Sequence, residues 1–183
     1  MNIKRNIFLF STAFLMNLMV SSQSTSGVDK MKFFHFLEGN WTVENFTLNK
    51  DKEWELIGET SSKNTFIHNG KFINENVKYL TASGEINMIT YIGYDTRIQS
   101  YKLSAMDKEF GVMDIYRGEI KENDIVFTNL NSDAPFKMES GKSLWFKLTY
   151  KDITTNSFTH LVEGTFDKGK TWFIFSKATF KRQ

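Results

Sequence analysis

The chain contains no cysteine, so a disulfide framework, a thiolate metal site and a lipid anchor on an N-terminal cysteine are all excluded. Its 183 residues bury enough apolar surface to fold without such staples, even in an oxidising compartment that would permit them. A surplus of charge of either sign is missing too. Basic residues number 23 and acidic ones 21, with no basic tract, which removes the electrostatic case for nucleic acid or an anionic membrane as partner. The three histidines, His35, His68 and His160, lie far apart without His-x-His or His-Glu-x-x-His spacing, so no metal site is expected. Gly-x-Ser-x-Gly and the glycine patterns that cradle phosphates or dinucleotides do not occur, leaving no motif for a hydrolase elbow or a nucleotide. No cofactor is expected.

Long hydrophobic runs are confined to the N-terminus. Lys4 and Arg5 precede the apolar stretch Ile7 to Val20, which is too short to span a bilayer comfortably and has the length of a signal-peptide core. Small residues at Ser21 and Ser22 place the expected cleavage before Gln23. The expected organisation is a signal peptide over 1–22, a flexible leader over 23–28 and one domain over 29–183. Lys4 and Arg5 leave with the signal, so the basic count falls to equal the 21 acidic residues. The mature protein is expected to be neutral, exported to the periplasm or medium, soluble and without a membrane span.

From Asp29 to Leu37 the apolar residues Phe33, Phe36 and Leu37 recur at helical spacing, with Asp29 as N-cap and Gly39 as stop. Beyond Gly39 the chain is a series of β-branched and aromatic runs separated by short turn signals, Asn69-Gly70, Ser83-Gly84 and Lys168-Gly169 among them. Ten strands are expected, over 40–48, 53–67, 71–80, 85–95, 98–106, 110–118, 121–129, 142–152, 156–166 and 170–181, with an irregular loop from Asn131 to Gly141. Several runs alternate. Leu144, Phe146, Leu148 and Tyr150 share one face, as do Phe158, His160 and Val162, and Tyr101, Leu103 and Ala105. One dry and one wet face per strand suits a meander that closes on itself and so abolishes its edges. The expected fold is all-β: a single antiparallel up-and-down barrel with one short N-terminal helix, a two-sheet sandwich being the alternative.

Gly39-Asn40-Trp41, placed where the helix meets the first strand, resembles the opening of lipocalin-like barrels, the calycins. In that superfamily the tryptophan plugs one barrel end beneath a basic residue from the last strand. The resemblance assigns these parts to Trp41 and to Arg182, which ends a run read as carrying Trp172, Ile174, Ala178 and Phe180 on one face. A guanidinium over an indole is a favourable cation–π contact. Asp167-Lys168-Gly169-Lys170-Thr171-Trp172 resembles the Asp-box of sialidases, but a propeller repeats its unit and this chain has one copy. The segment is therefore read as a stable hairpin, with Asp167 bonding turn amides, Gly169 supplying positive φ and Trp172 packing against the turn. Together Phe36 to Trp41, Tyr91-Ile92-Gly93-Tyr94-Asp95, Tyr101, Tyr116-Arg117-Gly118 and the Asp167–Trp172 turn resemble a family of exported bacterial proteins catalogued as domain of unknown function 1579. The resemblance implies a calycin-like barrel and carries no activity or catalytic residue.

Three functional readings follow. Barrels of more than eight strands enclose space that side chains need not fill, and their mouths hold small molecules. This favours a binding protein over an enzyme, with a small hydrophobic or amphipathic ligand as partner. The alternatives are a calycin-like enzyme (an isomerase, a cyclase or a haem protein with His160 as axial ligand) and an envelope interaction protein. The candidate ligand-binding residues are His160, Arg117 and Tyr101. Each is costly to bury and stands among apolar or small neighbours of the same strand face: Phe158 and Val162, Met113 and Ile115, Leu103 and Ala105.

Overall fold

A computed structural model describes residues 25–81 and 84–183. The expected signal segment, 1–22, lies outside the described residues. Helix α1 (Thr25–Met31) runs into a 3-10 helix (Lys32–Leu37). Eleven strands follow: β1 (Gly39–Leu48), β2 (Trp54–Ile67), β3 (Phe72–Thr81), β4 (Gly84–Asp95), β5 (Ser100–Asp107), β6 (Val112–Lys121), β7 (Asp124–Thr128), β8 (Phe136–Lys137), β9 (Ser143–Lys151), β10 (Ser157–Thr165) and β11 (Phe173–Arg182). Every pairing is antiparallel. β1 to β7 pair in sequence, β9 takes the place beside β7, and β10 and β11 return the sheet to β1. The result is the closed up-and-down barrel of ten strands, lipocalin-like, with β8 as a short addition on the end of β9.

Alternation fills the barrel as the pattern requires. Ile73, Glu75, Val77 and Tyr79 of β3 face inward across from Ile92, Thr90, Met88 and Ile86 of β4. The helical segment closes one end. Met31, Phe34 and Leu37 are fully buried, with the Phe34 ring 5.1 Å from Tyr101 and the Phe36 ring 5.4 Å from Phe158. Beneath them Trp41 meets Phe158 edge-on at 5.0 Å, and Phe158 stacks on Phe180 at 4.3 Å. Burying a large aromatic is among the strongest stabilising contributions available to a chain of this size. The plug and the layer of rings below it therefore form the solid half of the molecule.

Three local features differ from the sequence reading. α1 begins before Asp29, taking in the end of the expected leader, because the buried Met31 anchors that turn. Asp29 is not an N-cap but pairs with Lys32 at 2.7 Å. The expected loop after Asn131 contains β8, which adds Phe136 and Lys137 opposite Leu144 and Ser143. Finally, the β10–β11 register shifts between Val162 and Glu163, so Val162 opposes Ser176 while Glu163 opposes Ile174. A bulge inserts one residue and reverses the parity beyond it. Ala178 and Phe180 are buried, whereas Ile174 is exposed and Trp172 precedes the strand.

Candidate functional site

The end opposite the plug is hollow. A cavity of about 390 Å³ opens there, within the usual range for a small-molecule site. Its walls are the inward residues Met88, Ala105, Leu144, Phe146, Leu148 and Val162. Each owes its place to strand alternation, with Ala105 opposite Thr90 on one side and Asp114 on the other. Around the mouth stand Phe110, Val112, Phe136 and Phe175, all cavity-lining and all exposed, Phe110 at 67 %. Apolar lining that continues outward onto an exposed rim distinguishes this opening from an ordinary polar barrel end.

The inner polar side chains of the cavity and the barrel just beneath it are few and connected. Glu75 is buried and accepts two hydrogen bonds on Oε2, from the Thr90 hydroxyl at 2.6 Å and the Tyr150 hydroxyl at 2.8 Å. His160 lies beside Tyr150 with ring centres 4.8 Å apart. Its Nδ1 stands 3.0 Å from the Tyr79 hydroxyl, and its Nε2 is buried without a partner. Strand register explains the cluster. Thr90 is directly opposite Glu75, Tyr150 directly opposite His160, and Ala178 on the far side of His160 leaves the imidazole room.

Burial dominates the electrostatics. It pushes the Glu75 carboxyl above the ordinary value, the bonds from Thr90 and Tyr150 opposing it. It lowers His160 to about 4, so the imidazole is neutral at physiological pH. The Tyr79 and Tyr150 phenols are held well above their usual range by burial and by the nearby Glu75 charge. A second polar station lies nearer the mouth. Asn129 donates to Asp114 and accepts from the Phe146 amide at 2.6 Å.

Of the three candidate residues, His160 lines this cavity and the other two do not. Tyr101 faces inward at the plugged end, where its hydroxyl donates to the Lys30 carbonyl at 3.0 Å. Arg117 is exposed on the outer face of β6, beside Met113 and Ile115 at 67 % and 49 % exposure. The inward residues of β6 are Asp114 and Tyr116, so apolar neighbours of Arg117 marked the wrong side of the strand. The three are not brought together. Sequence reasoning missed Glu75, Tyr79, Thr90 and Tyr150. A signal for Glu75 was present: an acidic side chain shares a face with Ile73 and Val77, the same test that picked out His160.

The residues assigned to structure occupy coherent places. The Arg182 guanidinium sits 4.3 Å from the centre of the Trp41 ring. Gly39 has φ of 133°, and a Cβ there would meet the Arg182 Nη1 at 2.5 Å, so the glycine lets backbone and guanidinium approach. In the last hairpin turn Asp167 accepts from the Thr171 amide at 2.9 Å and from the Thr165 hydroxyl at 2.7 Å. Together with the Thr171 hydroxyl, which donates to its Oδ2 at 2.6 Å and contributes most, those bonds hold its carboxyl well below the usual range. Gly169 takes φ of 87°, and the Trp172 ring lies under the Lys147 ammonium, 4.6 Å away. The Tyr116-Arg117-Gly118 motif has a steric cause as well. A Cβ on Gly118 would come within 2.3 Å of the Phe127 ring that lies across it.

Among the described residues no group of three or more His, Asp or Glu side chains could hold a metal ion, and no helix is long and apolar enough to cross a membrane. A search of curated proteins returned no match. The model of one family, described as Protein of unknown function (DUF1579), matches residues 29–182, and the chain belongs to that family.

Proposed function

We propose that this is an exported protein that binds a small hydrophobic or amphipathic molecule in the open end of its barrel. The observation that carries the reading is the cavity itself: about 390 Å³, walled by Met88, Leu144, Leu148 and Val162 and rimmed by exposed phenylalanines. Apolar surface kept open to water is a standing cost, which an apolar ligand would offset. The polar cluster at its inner end would orient the molecule. Export is supported by the basic start, the apolar core and the small residues before Gln23.

The test is capture. Purified protein is incubated with a lipid extract, repurified and extracted with organic solvent, and the extract is analysed by mass spectrometry. In parallel, N-phenyl-1-naphthylamine is titrated in and its fluorescence followed. Wild type is expected to retain a ligand and to brighten the dye. Ala105→Trp, which places an indole in the cavity, is expected to lose both. If wild type retains nothing and leaves the dye unchanged, the binding reading fails.

A further inference from the structure

Two buried side-chain polar atoms among the described residues lack a hydrogen-bond partner: Trp145 Nε1 and His160 Nε2. Trp145 is on the outer face of β9, its ring 5.5 Å from the Lys168 ammonium. His160 lines the cavity. A buried polar atom without a partner costs free energy that native structures rarely leave unrecovered, unless the atom meets something that comes and goes.

Which kind of atom it would meet follows from the proton inventory of the cluster. The Tyr150 hydroxyl donates to Glu75. The Tyr79 hydroxyl has one hydrogen-bond partner among the described residues, His160 Nδ1. A phenol always carries a proton to donate at neutral pH, and that proton is satisfied only if Nδ1 accepts it. A neutral imidazole has a single N–H. With Nδ1 accepting, that N–H is on Nε2. His160, which lines the inner end of the cavity beside Tyr150, therefore carries one uncommitted N–H donor. Glu75 lies behind Tyr150, which donates to one of its oxygens, so an anionic head held beside Tyr150 would stand near a second carboxyl.

Resting on the ligand-binding reading above, we propose that the ligand is an uncharged apolar molecule carrying a carbonyl-type acceptor oxygen, such as a ketone, ester or amide, and that His160 Nε2–H donates to that oxygen. The molecule enters head first, and its apolar tail fills the space between Met88 and Leu148 toward the phenylalanine rim. No bond is made or broken; the step is hydrogen-bonded binding.

The experiment compares matched probes on the purified full chain by displacement of N-phenyl-1-naphthylamine: 2-undecanone, undecane and dodecanoate. One good hydrogen bond formed by an otherwise unpaired buried donor corresponds to roughly five- to tenfold in affinity. Wild type is expected to prefer 2-undecanone over undecane by about that factor and over dodecanoate as well. In His160→Phe the preference, read as the ratio of ketone to undecane affinity within the same variant, is expected to vanish. Tyr79→Phe, which frees Nδ1, is expected to reduce that ratio. Nitrogen NMR of the wild-type imidazole provides a readout that needs no variant, and the proton is expected on Nε2. A proton found on Nδ1, or equal binding of ketone and undecane, overturns the head-group assignment and leaves the apolar cavity standing. Displacement by none of the probes overturns both. A Soret band that appears on adding hemin to wild type and is lost in His160→Phe would overturn the proposal in favour of metal ligation by the same nitrogen.

Discussion

The Arg182 guanidinium covers the Trp41 indole at 4.3 Å and at the same time binds the helical plug to the barrel. Its Nη1 donates to the Glu38 carbonyl at 2.7 Å, its Nη2 to the Phe36 carbonyl at 3.0 Å, and its Nε to the Thr155 carbonyl at 2.8 Å. Trp41 is tied to the same plug, its Nε1 donating to the Leu37 carbonyl at 2.8 Å. Residues at the two ends of the barrel sequence thus hold the carbonyls that the 3-10 helix leaves unpaired at its terminus. Trp41→Ala is expected to cost about 3–5 kcal/mol, from lost burial plus the cavity left behind. Arg182→Ala is expected to cost less, since the guanidinium is partly exposed. Urea denaturation of the double mutant is expected to show a loss smaller than the sum of the singles. A strictly additive pair would mean that the two residues act independently.

Gly39 belongs to the same unit. Its φ of 133° disfavours any side chain, and the Arg182 Nη1 occupies the space where a Cβ would go. Gly39→Ala is therefore expected to destabilise by about 1–3 kcal/mol. In an Arg182→Ala background the steric part disappears and only the backbone part remains, so the same substitution is expected to cost less there. Equal costs in the two backgrounds, measured by thermal or urea unfolding, would show that the guanidinium does not set the requirement for glycine.

The barrel was legible because closure imposes alternation on nearly every strand, and alternation survives in single residues: Leu144, Phe146, Leu148 and Tyr150 point inward as the pattern required. The plug was legible because Gly39-Asn40-Trp41 and Arg182 are chemically distinctive. Alternation failed where it met a bulge, at Ile174, since one inserted residue leaves no mark in composition. Arg117 failed for another reason. Met113 and Ile115 are apolar yet exposed, and hydrophobic residues on a surface are common enough that a dry-looking face does not identify the inside. The Glu75 cluster spans β3, β4, β9 and β10. Its members are far apart in sequence, and only the register of closure brings Tyr150 to Glu75.

The proposed export makes its own chemical prediction. The native protein is expected to begin at or near Gln23 and to be recovered from the periplasm or medium. Intact-mass spectrometry of protein purified from its natural source checks both. Retention of Met1 would reject the cleavage and the exported address together.

The buried pair His160 and Glu75 leads to opposite pH dependences, which separate them. His160 is lowered by burial from 6.5 to about 4. Between those values the unfolded chain takes up a proton that the native imidazole refuses, so stability falls as pH falls through that window. The full shift corresponds to roughly 3 kcal/mol. Glu75 is raised by burial above 4.5. The native carboxyl therefore holds its proton at pH values where the unfolded one has released it. Its contribution runs the other way: the native state is penalised above the folded value, and the penalty is relieved as pH falls toward 4.5. Urea unfolding of wild type, His160→Phe and Glu75→Gln from pH 4 to 8 tests both signs. His160→Phe is expected to lose less stability than wild type on acidification, with the gap opening below about pH 6.5. Glu75→Gln is expected to gain on wild type at the alkaline end, the gap closing toward acid. The groups facing His160 are Tyr79, Tyr150 and, through Tyr150, Glu75, and neither phenol titrates in this range. Three parallel curves would mean that neither group is held in the charge state its burial dictates.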